Sequence, residues 1–216
     1  MNSPFVNIHT HKPSGKNYIE LLQADYNQPL PDHPFSIGIH PWHLDDPSFD
    51  YENALQQIEN QILQADAVGE VGLDKIHAST LELQQKVFEK QIAISEKYAK
   101  PLIIHNVHAS NDIVATRKRT KSRQPWIIHG FNGNAIVAQW FIQEGFFISI
   151  GRAIVGGGKT AETIKTIPID HLFAETDVSD VSIEDIYSAI ATIQNMSIVN
   201  LKQHIYLNFK RLFNND

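Results

Sequence analysis

The sequence predicts a (β/α)8 barrel, an α/β fold, shortened near its start. Three observations predict it. Eight short apolar, β-branched runs punctuate the 216 residues. Helical patterns separate most of these runs. The runs themselves alternate little, as strands do when both faces are buried in a parallel sheet. Strands alternating with helices mark parallel α/β folds, and eight such units close a barrel.

In order, the runs are FVNIH (5–9), YIELLQA (18–24), FSIGIH (35–40), AVGEVGL (67–73), PLIIH (101–105), WIIHGF (126–131), FFISIG (146–151) and HLFAETD (171–177). Between the third and fourth, Leu55, Ile58 and Ile62 recur at helical spacing within 50–64. In 79–100, Ser79-x-x-Glu82 reads as a capping box ahead of Val87, Phe88, Ile92 and Tyr98. Ser182-x-x-Asp185 opens a helix through IYSAIATI, and 197–213 places Leu201, Ile205, Phe209 and Phe213 on one stripe. Only about nine residues, HTHKPSGKN with Pro13 and Gly15, separate the first two runs, too few for a crossover helix. The first crossover helix is therefore expected to be missing or reduced, and the second strand displaced or antiparallel. With no linker or low-complexity tract, residues 1–216 read as a single domain.

Composition narrows the function. The chain is 42% hydrophobic and 19% charged, with a net charge of −6. That balance gives no overall pull toward nucleic acid or an anionic membrane, so a DNA substrate needs a local site. There is no cysteine, which excludes disulfides, thiolate metal sites and cysteine nucleophiles. MNSPFVNIHT has no basic n-region and no long apolar h-region, and no apolar run approaches the roughly 18 residues of a membrane span. The expectation is a cytoplasmic monomer with no membrane partner.

Polar residues collect at one end of the runs. Run one leads into His9 and His11, run three ends in His40, and run four carries Glu70. Run five ends in His105, run six holds His129, and run eight ends in Glu175 and Asp177. Residues two apart on a strand share a side, so His9 and His11 point together. In a barrel these strand ends meet at one face, where active sites of the fold sit. A single histidine at a strand end is more often a packed residue than a ligand, and His33, His77, His171 and His204 lie elsewhere. Glu70 inside AVGEVGL is more telling, because a carboxylate in an apolar strand is costly unless paired, protonated or on a metal.

Four imidazoles and two carboxylates at one end make a nitrogen and oxygen site for one or two divalent ions. The mixture suits Zn²⁺, Mn²⁺ or Fe²⁺, with Mg²⁺ less suited to the histidine-rich half. Two ions about 4 Å apart clamp attacking and leaving oxygens and lower the pKa of a bound water. Glu70 is able to bridge such ions. Asp177 is able to ligate and also to orient the water or accept its proton.

The segments NIHTH, GIHPW, VGEVGLD, PLIIH, IIHGFNG and AETD, in this order, resemble the TatD family of metal-dependent hydrolases, as does the closing NFKRLF (208–213). The resemblance implies a (β/α)8 barrel of the amidohydrolase type. It implies Mg²⁺- or Mn²⁺-dependent deoxyribonuclease activity, with zinc often found in the site. By resemblance, His9 and His11 bind the more buried ion and Glu70 bridges. His105 and His129 bind the second ion, Asp177 binds metal and serves the water, and His40 lies near the substrate phosphate. Three positions depart from the family. Asn7 stands where the family usually has Asp. Asn106-Val107 stands where a Ser-Arg pair is frequent, so His108 or Arg152 is the candidate to meet phosphate. VSDVS after ETD replaces a longer loop.

Three further signals bear on the substrate. RKRTKSR (117–123) reads as a helix C-terminus rather than a phosphate track. GRAIVGGGKT (151–160) lacks one glycine of a nucleotide-binding loop, but its backbone amides with Arg152 or Lys159 suit a substrate phosphate. Trp42 fits base stacking and rim packing equally. The leading expectation is a phosphodiesterase acting on single-stranded DNA or frayed ends. A hydrolase of a small phosphoester, ester or amide, favoured by the altered loop, is second. A non-catalytic descendant that binds protein is third.

Overall fold

Each apolar run forms a strand. The computed structural model describes residues 3–155 and 159–213. The strands are β1 (Val6–Thr10), β2 (Ile19–Ala24), β3 (Phe35–Ile37), β4 (Ala67–Asp74), β5 (Leu102–Val107), β6 (Trp126–Ile128), β7 (Phe147–Ile150) and β8 (Leu172–Ala174). They form one eight-stranded sheet in chain order. A parallel bridge between Thr10 and Asp177 ties the end of β1 to the chain just past β8, so the order closes on itself. This is a (β/α)8 barrel. The helices are α1 (Tyr51–Gln61), α2 (Leu81–Tyr98), α3 (Ser110–Thr120), α4 (Ala135–Gln143), α5 (Lys159–Lys165), α6 (Ile183–Ile193) and α7 (Ile198–Phe213).

The connection from β1 to β2 carries no helix, as expected, but β2 is neither displaced nor antiparallel. It pairs with β1 in parallel register, Val6 with Ile19 and Asn7 with Glu20. The reason is reach. Residues 11–18, drawn out at up to about 3.5 Å each, exceed the roughly 17 Å of a five-residue strand. An extended return over that length needs no helix. The β2 to β3 connection, residues 25–34, is also free of helix, which the sequence reading did not anticipate.

By its contacts the chain divides into two compact units, Met1–Leu22 with Ile127–Asp216, and Gln23–Trp126. In the second unit, two glutamines of α2 stand in for missing sheet partners. Gln84 accepts from the Asp74 amide at 2.7 Å and donates to the Asp74 carbonyl at 2.9 Å. Gln91 does the same for Ile39, at 2.6 and 3.1 Å. Seven residues is two helical turns, so both amides lie on one face of α2. Buried backbone groups need such partners. Each glutamine fixes the backbone at or beside a polar residue of the site.

In the first unit, the Asn208 amide of α7 donates to the Ile169 and Leu172 carbonyls and fixes the start of β8. Phe5 packs edge-on to Tyr18 and Tyr187. Ser182 caps α6 by accepting from the Asp185 amide, as its spacing predicted. The α2 cap is Thr80 rather than Ser79. Ser79 is engaged elsewhere: its amide donates to Asp45 and its hydroxyl accepts from Gln84. The basic stretch closes α3 with Arg117, Lys118 and Arg119 in the last turn. Arg119 pairs with Glu89, and Arg117 lies over Trp126. No helix among the described residues is long and apolar enough to cross a membrane.

Candidate metal centre

Two of the strands that carry predicted ligands are bulged where those ligands sit. On β1, Asn7 pairs with Glu20 and Thr10 with Leu22, so Ile8 and His9 face a single residue of β2. On β4, Val68 pairs with Leu102 and Val71 with Ile104, so Gly69 and Glu70 face a single residue of β5. A bulge bends its strand and re-aims a side chain, and it recurs beside functional sites. Gly72 then lets β4 run against β5. Its φ is +146°, and a Cβ there would lie 2.1 Å from the His105 carbonyl oxygen. Only glycine tolerates both the conformation and the approach.

The first unit gathers His9, His11 and Asp177. Asp177 Oδ1 is 3.5 Å from His9 Nε2 and 3.5 Å from His11 Nε2. His9 is fully buried, while His11 and Asp177 are partly open. Backbone bonds set the spacing: the Asp177 amide donates to the His9 carbonyl, and the His11 amide to the Asp177 carbonyl. Asp177 has φ +53°, a left-handed conformation uncommon outside glycine and asparagine. Asn7 holds the neighbouring residue in place. Its amide donates to Thr176 Oγ1 at 2.8 Å and accepts from the Thr176 amide at 3.0 Å. A carboxylate there would accept but not donate.

His129 belongs to the same unit, its ring 4.6 Å from that of His9. Its Nδ1 is 3.4 Å from Glu175 Oε1, which also accepts from the Gly130 amide at 2.7 Å. Glu175 is fully buried, and its Oε2 has no hydrogen-bond partner among the described residues. An orphaned buried carboxylate oxygen is costly unless positive charge is near.

The second unit gathers His40, Glu70 and His105. His40 Nε2 to Glu70 Oε1 is 3.0 Å, His40 Nε2 to His105 Nδ1 is 3.1 Å, and His105 Nδ1 to Glu70 Oε1 is 2.7 Å. Neighbouring ligands of an octahedral ion, bonded at about 2.0–2.1 Å, sit about 3 Å from each other. The three atoms have that spacing, so the residues fit a divalent ion. His105 Nε2 faces Asp74 Oδ2 at 3.1 Å, and the Trp42 indole donates to the same oxygen at 2.8 Å. Burial pushes the Asp74 carboxyl up. Bonds from Trp42, the Ile76 amide and His105 outweigh this and hold it below the ordinary range. Farther out, the His77 hydrogen bond and the Ser79 amide pull the Asp45 carboxyl down to about 2.

The predicted residues thus fall as follows. His9, His11 and Asp177 come together, with His129 beside His9. Glu70 and His105 come together, and His40 joins them. Trp42 lies at the rim, 51% exposed, stacked on His77 at 4.6 Å. His108, just past β5, and Arg152, just past β7, are exposed. Gly156–Gly158 and the Lys159 side chain lie outside the described residues. Two carboxylates beside histidines, Asp74 and Glu175, had been given no role. The signal for Asp74 was present: Glu70, Gly72 and Asp74 are spaced by two along one strand, the argument that joined His9 to His11.

The family described as TatD related DNase matches residues 5–214. The chain belongs to the TatD family. Among TatD relatives, YjjV of Escherichia coli, described as an uncharacterized metal-dependent hydrolase, is 30% identical over 170 residues, 76% of this chain and 64% of its own. YabD of Bacillus subtilis, described in the same words, is 36% identical over 115 residues, 51% of this chain and 45% of its own. The chain therefore spans less than two thirds of the length of these curated relatives. A TatD family hydrolase from Entamoeba histolytica has the same fold, with a TM-score of 0.82 over all of both chains at 17% identity.

Proposed function

We propose that the chain is a metal-dependent phosphodiesterase that cleaves DNA at single strands or frayed ends. The observation that carries this reading is the triangle of His40, Glu70 and His105 atoms, with sides of 2.7–3.1 Å, in a TatD chain. His40, Glu70 and His105 would hold one ion, and His9, His11 and Asp177, with His129, another. Mg²⁺ or Mn²⁺ would serve catalysis, and Zn²⁺ also suits the donors. Such ions supply Lewis-acid stabilisation of phosphate oxygens and a more acidic water.

The chain's own residues divide the remaining work. Asp177, part open at the end of its strand segment, takes the proton of the attacking water. His9 and His11 flank its Oδ1, each with Nε2 at 3.5 Å, and hold the carboxylate in place. His108 and Arg152 meet substrate phosphate, and Trp42 offers indole surface to a base. The net charge of −6 leaves the attraction for DNA to the ions and a few cations, so binding should be salt-sensitive.

The test is degradation of a short 3′-labelled single-stranded DNA with Mg²⁺ or Mn²⁺, wild type beside Asp177→Asn. Cleavage by the wild type alone supports the reading. No cleavage by a metal-loaded wild type overturns the DNase assignment. One observation favours a second reading, a small phosphoester substrate. Val107 fills the slot of the frequent family arginine, and Asn106 is tied back to the Ser110 hydroxyl at 3.0 Å. A panel of small phosphoesters run beside the DNA separates the two.

A further inference from the structure

Asp74 is 2% exposed, yet it ligates nothing in the reading above. Its carboxylate is surrounded by donors. Oδ1 accepts from the Ile76 amide at 2.9 Å. Oδ2 accepts from the Trp42 indole at 2.8 Å and faces His105 Nε2 at 3.1 Å. His77 Nε2 stands 3.8 Å from the same oxygen, and its Nδ1 is bound by Asp45 at 2.6 Å. The Gln84 amide fixes the backbone of Asp74 on both its N–H and its C=O. The carboxylate is therefore held by Ile76, Trp42 and His105, and its backbone by Gln84 of α2.

We propose that Asp74 is a positioning residue that keeps the proton of His105 on Nε2, so that Nδ1 is left bare toward Glu70 and His40. Both nitrogens of His105 face a carboxylate oxygen, Nε2 that of Asp74 at 3.1 Å and Nδ1 that of Glu70 at 2.7 Å, and a carboxylate accepts and does not donate. An ion held between Nδ1 and Glu70 would take the place of a proton there, which leaves the one hydrogen of the neutral ring for Nε2. A histidine ligand whose other nitrogen donates to a carboxylate has its tautomer and ring orientation set and its ligating nitrogen made more basic. Oδ2 is shared with the indole of Trp42, so one oxygen anchors both the buried ligand and the exposed ring. This inference rests on the reading that His40, Glu70 and His105 hold an ion.

Asp74→Asn is the informative change. If the Asn oxygen stays with the Ile76 amide, its NH₂ faces His105 Nε2 and demands a bare nitrogen there. That moves the ring proton to Nδ1 and blocks the ligating atom. If the amide flips, NH₂ meets the Ile76 N–H instead. Either way one donor loses its acceptor.

The experiment titrates wild type, Asp74→Asn and His105→Ala with Mn²⁺ by electron paramagnetic resonance. It also records the imidazole ¹H–¹⁵N correlations of the Zn²⁺-loaded wild type at about pH 8, above the ordinary imidazole pKa. The expected result is that His105→Ala abolishes one Mn²⁺ site and Asp74→Asn weakens that same site about 10- to 100-fold. In the wild type, His105 should carry its proton on Nε2. Asp74→Asn binding as tightly as wild type overturns the inference and leaves the metal reading standing. A bare Nε2 in the Zn²⁺-loaded wild type also overturns it, and needs no variant to fold. If His105→Ala binds Mn²⁺ as wild type does, the metal reading itself fails.

Discussion

The Tyr187 hydroxyl of α6 donates to the Val6 carbonyl at 2.9 Å and accepts from the Val6 amide at 3.1 Å. One phenol thus satisfies both backbone groups of the residue that begins β1, three positions before His9. The ring is fully buried, and burial raises its pKa well above the ordinary value, so it stays a neutral donor. Tyr187→Phe should leave two buried backbone groups unpaired and lower stability by about 1–3 kcal/mol. Urea melts check this, with an unchanged slope and a lower midpoint expected.

His9 and His11 should separate by what else they do. His11 is partly open, so His11→Ala should lose metal with little change in melting temperature. His9 is fully buried, so His9→Ala should lose metal and also cost about 2 kcal/mol or more through the space it leaves. Metal content by mass spectrometry and thermal melts of both variants decide it. Equal melting temperatures would count against the burial argument.

Gly72→Ala should be among the most disruptive single-methyl changes available. The added carbon would sit 2.1 Å from the His105 carbonyl oxygen, on a residue with φ +146°. The strands must part, and with them Glu70 and His105. A loss of about 3 kcal/mol or more is expected, within the range of the severest single substitutions. Denaturant melts measure the stability, and Mn²⁺ titration tests whether the ligand triangle survives.

Asp45 gives a pH dependence of defined sign. Its carboxyl lies at about 2 when folded, held down first by the His77 hydrogen bond and then by the Ser79 amide. The unfolded value is about 3.9. A depressed acid stabilises the fold above its unfolded pKa and loses that effect as pH falls through the folded one. Asp45→Asn should therefore melt below wild type at neutral pH, and the gap should close between about pH 4 and pH 2. A gap that widens on acidification would contradict the assignment.

Much of this was legible beforehand, for physical reasons. All eight strands were visible because buried parallel strands are continuous apolar runs, and Phe35–Ile37 or Leu172–Ala174 carry that signal despite their length. Ser182 was legible as a cap because its spacing to Asp185 is local. The direction of β2 was not, since it depends on the path of residues 11–18 through space. Thr80 displaced Ser79 because Asp45 and Gln84, 34 and five residues away, had already engaged Ser79. At the candidate site, the grouping of His9 with His11 was readable from strand period. That His40 would stand 3.1 Å from His105 was not, because the two rings meet across 65 residues of chain.

The bulges on β1 and β4 carry one more consequence. Where two residues face one, what a side chain points at depends on how many residues precede it. Removing a single residue between Val68 and Val71 would let the ladder with β5 zip into even register. The sheet would survive while Glu70 lost its aim. The same holds for Ile8 and His9 between Asn7 and Thr10. A deletion in these strands therefore differs in kind from a substitution, and a one-residue gap in a descendant would mark a barrel that had kept its shape and given up its chemistry.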